Sequence, residues 1–406
     1  MPIIKRPVPR KTVEKMIHHP ITAVRLFPAF LICFFLQGQF KPAEGGDYLD
    51  STIRELLWLN FSGRGTECFE RVGELLSNDP ANYPAYLLRA NCYGWFIAHN
   101  PENHRYDNPL VESLEACEQL AGAVKDDSPD QGRALYFKAL SMVLNARFKA
   151  LRGYNFTARW ATRGAKAAGE ELAGRYPEDI DARLPLAIFD ATWGGSPLWQ
   201  RMAQFTLLLP RGQREEGIRT LRQIAENGKD SKLWAKVVLL DNYLNDPHAR
   251  QQALETAEDL HNLFPDNSVI QLELGECYRG LQRWVLAEAV YRSINAKVAS
   301  HVPSYDDVNH EISRLRLVEC QVNLGKIDEA FDGVRQILIS NPINPEWVVP
   351  WAHLFTAKIY ISRNQARRAE RELRYALDGR DIDNLHNEVG KAQDTVKKML
   401  EKEKEE

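Results

Sequence analysis

The stretch LELGECYRGLQRWVLAEAVY, Leu272 to Tyr291, decides the fold. Apolar residues recur in it at helical spacing. Yet glycine stands at 275, where a helix loses roughly 1 kcal/mol relative to alanine. That loss is offset if a second helix needs to approach closely at that point. Ala287 supplies a second small residue, and Leu274, Tyr278 and Tyr291 supply bulk on either side. Two short helices packed through small residues, with large ones filling the flanks, is the arrangement the stretch implies.

Working outward, the pattern recurs. Ala253 precedes Ala287 by 34 residues, and Leu244 precedes Ala253 by the same nine that separate Tyr278 from Ala287. Further copies run through Leu240, Leu244, Ala253 and Pro265, then Leu317, Gly325, Ala330 and Pro342, then Ala357, Tyr360, Ala369 and Ala376. The interval stretches to 43 residues from Ala287 to Ala330 and 39 from Ala330 to Ala369. VASHVPSYDDVNH and part of NPINPEWVVP are the inserts. A weaker copy lies in Leu56, Leu59, Cys68, Leu75 and Pro80, followed by Ala90 and Tyr93.

This pattern resembles the tetratricopeptide repeat (TPR), a 34-residue helix pair, over 230–380 and more loosely over 47–125. Ile294 and Ala299 depart from it, at the last alanine and the closing proline. PRGQREEGIRTL (Pro210–Leu221) is similar to the tetratricopeptide repeat 39 group. The resemblance implies an all-α fold of antiparallel helix pairs stacked into a right-handed superhelical solenoid, with a concave face that binds a protein or peptide. It places groove positions on Asn242, Asn245 and Asp246; on Leu272, Glu276 and Arg279; on Glu319 and Asn323; and on Trp351, Lys358 and Ser362. A clamp for a terminal carboxylate is not supported, because Glu273 and Val269 stand where the next repeat would need its clamp residues.

The rest of the chain agrees with an all-α reading. From Asp47 onward no alternating strand pattern appears, and SNDPANYP, SPDQG, RYPED, NGKDS, LNDPH, FPDNS and SNPINP punctuate helices. Long helices are expected over Gln131–Leu151 and Phe156–Tyr176. Asn227-Gly228 closes a helix after Leu207. FDATWGGSPLW interrupts the pattern, and its Gly194-Gly195-Ser196-Pro197 reads as a helix start. Trp193 and Trp199 flank that loop as candidate partner anchors. The expected domains are 46–228, irregular repeats; 229–380, regular repeats; and 381–406, a capping helix with a charged tail. Ile382, Leu385, Val389 and Val396 form the apolar stripe of that helix.

Composition excludes several functions. Of 406 residues, 44% are hydrophobic and 26% charged, with a formal net charge of −3. Bases are interleaved with acids, so no nucleic-acid surface is expected. The chain has no P-loop, GxGxxG, HExxH or GxSxG, and no Cys–His spacing for zinc. We expect no enzyme, no cofactor and no metal. The six cysteines read as small core residues, with a disulfide among Cys68, Cys92 and Cys117 as the alternative.

Residues 1–45 differ. Lys5, Arg6, Arg10, Lys11, Lys15 and Arg25 precede LFPAFLICFFL (Leu26–Leu36), too short to span a bilayer, which takes about 20 residues, but suited to a secretory signal. Ala43-Glu44-Gly45 offers a cleavage site. The expectation is an exported protein of the periplasm or cell envelope, or one tethered by its N-terminus. An envelope protein enclosing a small apolar ligand, acting with a membrane transporter, is the alternative function. The aromatic-rich helices of 134–207 motivate it.

Overall fold

The computed structural model describes residues 48–100, 102–153, 155–194, 212–305 and 310–405. Among them are seventeen α-helices and no strand. In chain order these are α1 Ser51–Phe61, α2 Gly65–Asn78, α3 Tyr83–His99, α4 Asp107–Gly122, α5 Gln131–Leu151, α6 Asn155–Arg175, α7 Leu184–Trp193, α8 Arg214–Asn227 and α9 Lys232–Leu244. Then follow α10 Arg250–Leu263, α11 Ser268–Gly280, α12 Trp284–Ala299, α13 His310–Asn323, α14 Ile327–Ser340, α15 Val348–Ser362, α16 Ala366–Leu377 and α17 Leu385–Glu405. The described residues fall into two compact units, one ending at Lys326 and the other starting at Ile327.

Each helix of the first unit packs on the next, and the glycine of the opening stretch shows how. A Cβ placed on Gly275 of α11 would lie 2.8 Å from Tyr291 Cε1 and 2.9 Å from its Cζ, on α12. Tyr291 and Ala287 are wholly buried. The absence of a side chain at 275 therefore seats the tyrosine ring, as the spacing implied. Ala253, Ala330, Ala357 and Ala369 are likewise buried at 2% exposure or less, so the small-residue register holds in the other copies. Asn267 caps α11 by accepting from Ile270 N at 3.0 Å, after Phe264-Pro265 ends α10.

Odd- and even-numbered helices of the first unit differ in burial. Ten of the thirteen residues of α9 are buried, but only four of the fourteen of α10. A helix apolar on nearly all sides belongs inside a core. One continuous core runs from Tyr48 to Cys277, crossing the 228/229 border expected from repeat regularity.

The start of the described chain locks into this core. Asp230, just before α9, accepts from Tyr48 N at 2.9 Å, Leu49 N at 3.2 Å and Arg54 Nη2 at 2.9 Å. The Tyr48 ring stacks on Tyr136 of α5 with centroids 4.1 Å apart. At the far end of α1, Asn267 Nδ2 donates to Phe61 O at 2.8 Å and Phe61 stacks on Phe264. Asp181 accepts from the backbone N–H groups of Lys229, Asp230 and Ser231 at 2.9, 2.9 and 3.1 Å. Gly228 is needed there for closeness. Its φ is −63°, not left-handed as a glycine cap would have, but an added Cβ would lie 2.6 Å from Asp181 Oδ1.

In the second unit α15 and α16 pair, and α17 packs on both. Leu385, Val389 and Val396 of the expected stripe are buried there together with Ala392, so α17 covers the last helix pair, while Ile382 lies before the helix and is only partly buried. Among the described residues no helix is long and apolar enough to cross a membrane.

Candidate functional site

The residues assigned to the groove meet different fates. Asn242 is buried inside the first unit, its Nδ2 donating to Val238 O at 2.8 Å. Asn245 is exposed and donates to Asp241 O at 2.8 Å. Beside them Asp241 pairs with Arg147 of α5, a buried ion pair between helices. Burial pushes the Asp241 carboxyl up, and the Arg147 charge opposes it.

Glu276, Arg279 and Glu319 come together. Arg279 Nη2 lies 2.7 Å from Glu276 Oε2, and its Nη1 3.3 Å from Glu319 Oε1. Arg316 reaches both carboxylates at 3.1 Å. Tyr291 donates to Glu276 Oε1 at 2.8 Å. Two acids and two bases thus neutralise each other between α11 and α13. Burial alone would lower Arg279, but the carboxylates of Glu276 and Glu319 outweigh it and hold the guanidinium well above its usual value. Asn323 lies exposed at the end of α13, donating to Glu319 O at 2.8 Å.

In the second unit Trp351 is buried and donates from Nε1 to Ile382 O at 3.1 Å. Lys358 is half-buried, 3.3 Å from Glu388 Oε2. Trp193 stacks on Phe189 with centroids 4.8 Å apart. Trp199 and the Ser196-Pro197 helix start lie outside the described residues. The aromatic residues Tyr136, Phe137 and Phe189 of the central helices are buried at 1% exposure or less, with Tyr136 on Tyr48 and edge-on to Phe137.

A second surface was not singled out from the sequence. The α14–α15 loop and the end of α16 enclose an open groove of about 470 Å³, lined among others by Pro342, Ile343, Trp347, Pro350, His353 and Tyr375. Ile343 is 89% exposed and Tyr375 50%. Large exposed apolar side chains lining one groove make it a candidate interaction surface. His353 is fixed in the groove, its Nδ1 2.8 Å from Glu372 Oε2 and its ring 5.1 Å from that of Tyr375. Arg380 also lines it, paired with Glu346. Arg371 stands one helical turn before Tyr375 on α16, its side chain 62% exposed. The surface is an apolar seat with Arg380, Glu346 and Asp378 in its lining and Arg371 one turn away on α16. Its signal in the sequence was an isoleucine bracketed by prolines in NPINP, read there as an insert.

Among the described residues no group of three or more His, Cys, Asp or Glu is arranged to hold a metal ion. No family model matches the chain, and no curated protein matches it significantly. Among solved structures it is similar to one described as the crystal structure of the P58(IPK) TPR domain. The identity is 16%, over 86% of this chain and 99% of that one, with a TM-score of 0.25. At that score the fold rests on the helix packing described above.

Proposed function

We propose that the chain is a non-catalytic helical-repeat scaffold that binds a protein partner. The observation that carries this reading is the open groove around Ile343 and Tyr375, which combines exposed apolar side chains with polar and charged groups that include Arg380. The occupant that fits is a polypeptide presenting an apolar side chain next to carboxylates. The apolar group seats against Trp347, Pro350 and Tyr375, and the carboxylates meet Arg371 and Arg380 as charge-assisted hydrogen bonds. A groove that exists before binding loses little ordering entropy. Of the residues that the repeat register assigns to a groove, Asn245 and Asn323 are exposed and offer further contact.

Selection of a displayed peptide library on the purified full chain tests this. The reading expects enrichment of sequences with an apolar residue flanked by Asp or Glu, whose binding is lost in Tyr375→Asp and weakened in Arg371→Glu. Peptides that bind Tyr375→Asp as well as the unaltered chain contradict it. Export is the second part of the reading, and it rests on Leu26–Leu36 and Ala43–Gly45. N-terminal sequencing of the native protein expects a start near Gly46; an intact Met1 in the cytoplasmic fraction contradicts export.

A further inference from the structure

Helices α2 and α3 bring two thiols into contact. Cys92 Sγ lies 3.3 Å from Cys68 Sγ, and both residues are wholly buried and unbridged. The Cys68 thiol is 3.1 Å from Leu56 O, and Asn60 Nδ2 donates to Cys92 Sγ at 3.4 Å, so α1 holds both sulfurs from the same side. Cys117 is different: its thiol is directed at Phe137 O, 3.9 Å away.

A disulfide has its sulfurs about 2.05 Å apart, so these two must close by roughly 1.2 Å. Small rotations of two side chains on adjacent helices cover that distance. We propose that Cys68 and Cys92 are a redox modification site, oxidised to an intramolecular disulfide by exchange with a small-molecule disulfide such as oxidised glutathione. One cysteine, as thiolate, attacks the glutathione disulfide, forming a mixed disulfide and releasing one glutathione thiolate. The second cysteine sulfur then displaces the other glutathione. The chain loses two protons and two electrons, and the donor disulfide becomes two thiols.

Neither sulfur reaches the surface, so exchange follows local opening of α1–α3. Its rate rises as mild denaturant favours that opening. The bridge ties residues 24 apart in sequence, across the turn between α2 and α3. It therefore restricts the unfolded chain and raises resistance to urea. In an oxidising compartment the bridge persists; in a reducing one the dithiol does. The site stands independently of the groove around Tyr375.

The test uses the purified full chain. It is incubated with oxidised glutathione in subdenaturing urea, then denatured, alkylated and mapped by mass spectrometry. Hydrogen exchange on the same sample reports opening of α2 and α3. The expected result is a Cys68–Cys92 linked peptide, two fewer alkylated thiols per chain, and a higher urea midpoint that dithiothreitol reverses. Cys68→Ser and Cys92→Ala, tested separately, lose both the linkage and the midpoint shift. Free thiols at both positions while α2 and α3 exchange, or mixed glutathione adducts without the internal link, overturn the proposal.

Discussion

Replacing Gly275 with alanine sets two effects against each other. Helix propensity favours alanine by about 1 kcal/mol. Against this, the new Cβ falls 2.8 and 2.9 Å from two atoms of the Tyr291 ring, nearer than packed carbons approach. The ring is wholly buried and its hydroxyl is held 2.8 Å from Glu276 Oε1, so it has little room to yield. Overpacking of this kind costs about 1–3 kcal/mol, and straining a hydrogen bond to a charged group adds about 1 kcal/mol or more. The net expectation for Gly275→Ala is a loss of about 1–3 kcal/mol. Urea unfolding of the full chain, followed by far-UV circular dichroism, measures it. In a Tyr291→Leu background the clash is gone, and the same substitution should be neutral or stabilising by up to about 1 kcal/mol. If Gly275→Ala stabilises the unaltered chain by the full propensity difference, the close approach of α11 and α12 at this glycine is wrong.

Other expectations follow from the packing. Asp230→Ala removes the acceptor for two backbone N–H groups and the partner of Arg54, whose side chain is only 20% exposed. We expect a loss of about 3 kcal/mol and faster proteolysis around residues 48–54. Burial lowers the pKa of His261, with the Lys297 charge adding to it, and burial likewise lowers that of His310, beside Arg314. Both resist protonation when folded. Their contribution to stability is therefore present above the unfolded value of about 6.5 and lost as pH falls through it. The double variant His261→Gln, His310→Gln should show a smaller drop in urea midpoint between about pH 7 and pH 5 than the unaltered chain. An equal drop refutes the assignment.

The helix pairs were legible because their packing is written locally. Gly275, Ala287 and Tyr291 lie within one short stretch, and the small residues repeat at intervals a reader can count. The filled interior of the first unit was not legible in the same way. Its ties join Tyr48 to Asp230 and Phe61 to Asn267, 182 and 206 residues apart, and no period records them. A partial signal existed in LWAKVVLLDNYL of α9, which is apolar on too many sides for a helix with one open face. That is why Asn242, placed in a groove by register, lies in the core. Trp351 is likewise inside the second unit, its N–H donating to Ile382 O in the segment just before α17. The groove around Tyr375 escaped because its parts, Ile343, Trp347 and Tyr375, come from an insert and a helix end that the repeat pattern treats as irregular.

The central claim is that the Ile343–Tyr375 groove holds a protein partner. A photo-crosslinking amino acid placed at position 343 of the full chain in its native cells tests it most directly. The account predicts a discrete polypeptide adduct whose linked segment carries an apolar residue beside carboxylates. The adduct should disappear when Tyr375→Asp is combined with the probe, while a probe at exposed Gln336 continues to report a folded chain. An adduct unchanged by Tyr375→Asp, or linkage to lipid alone, would contradict it.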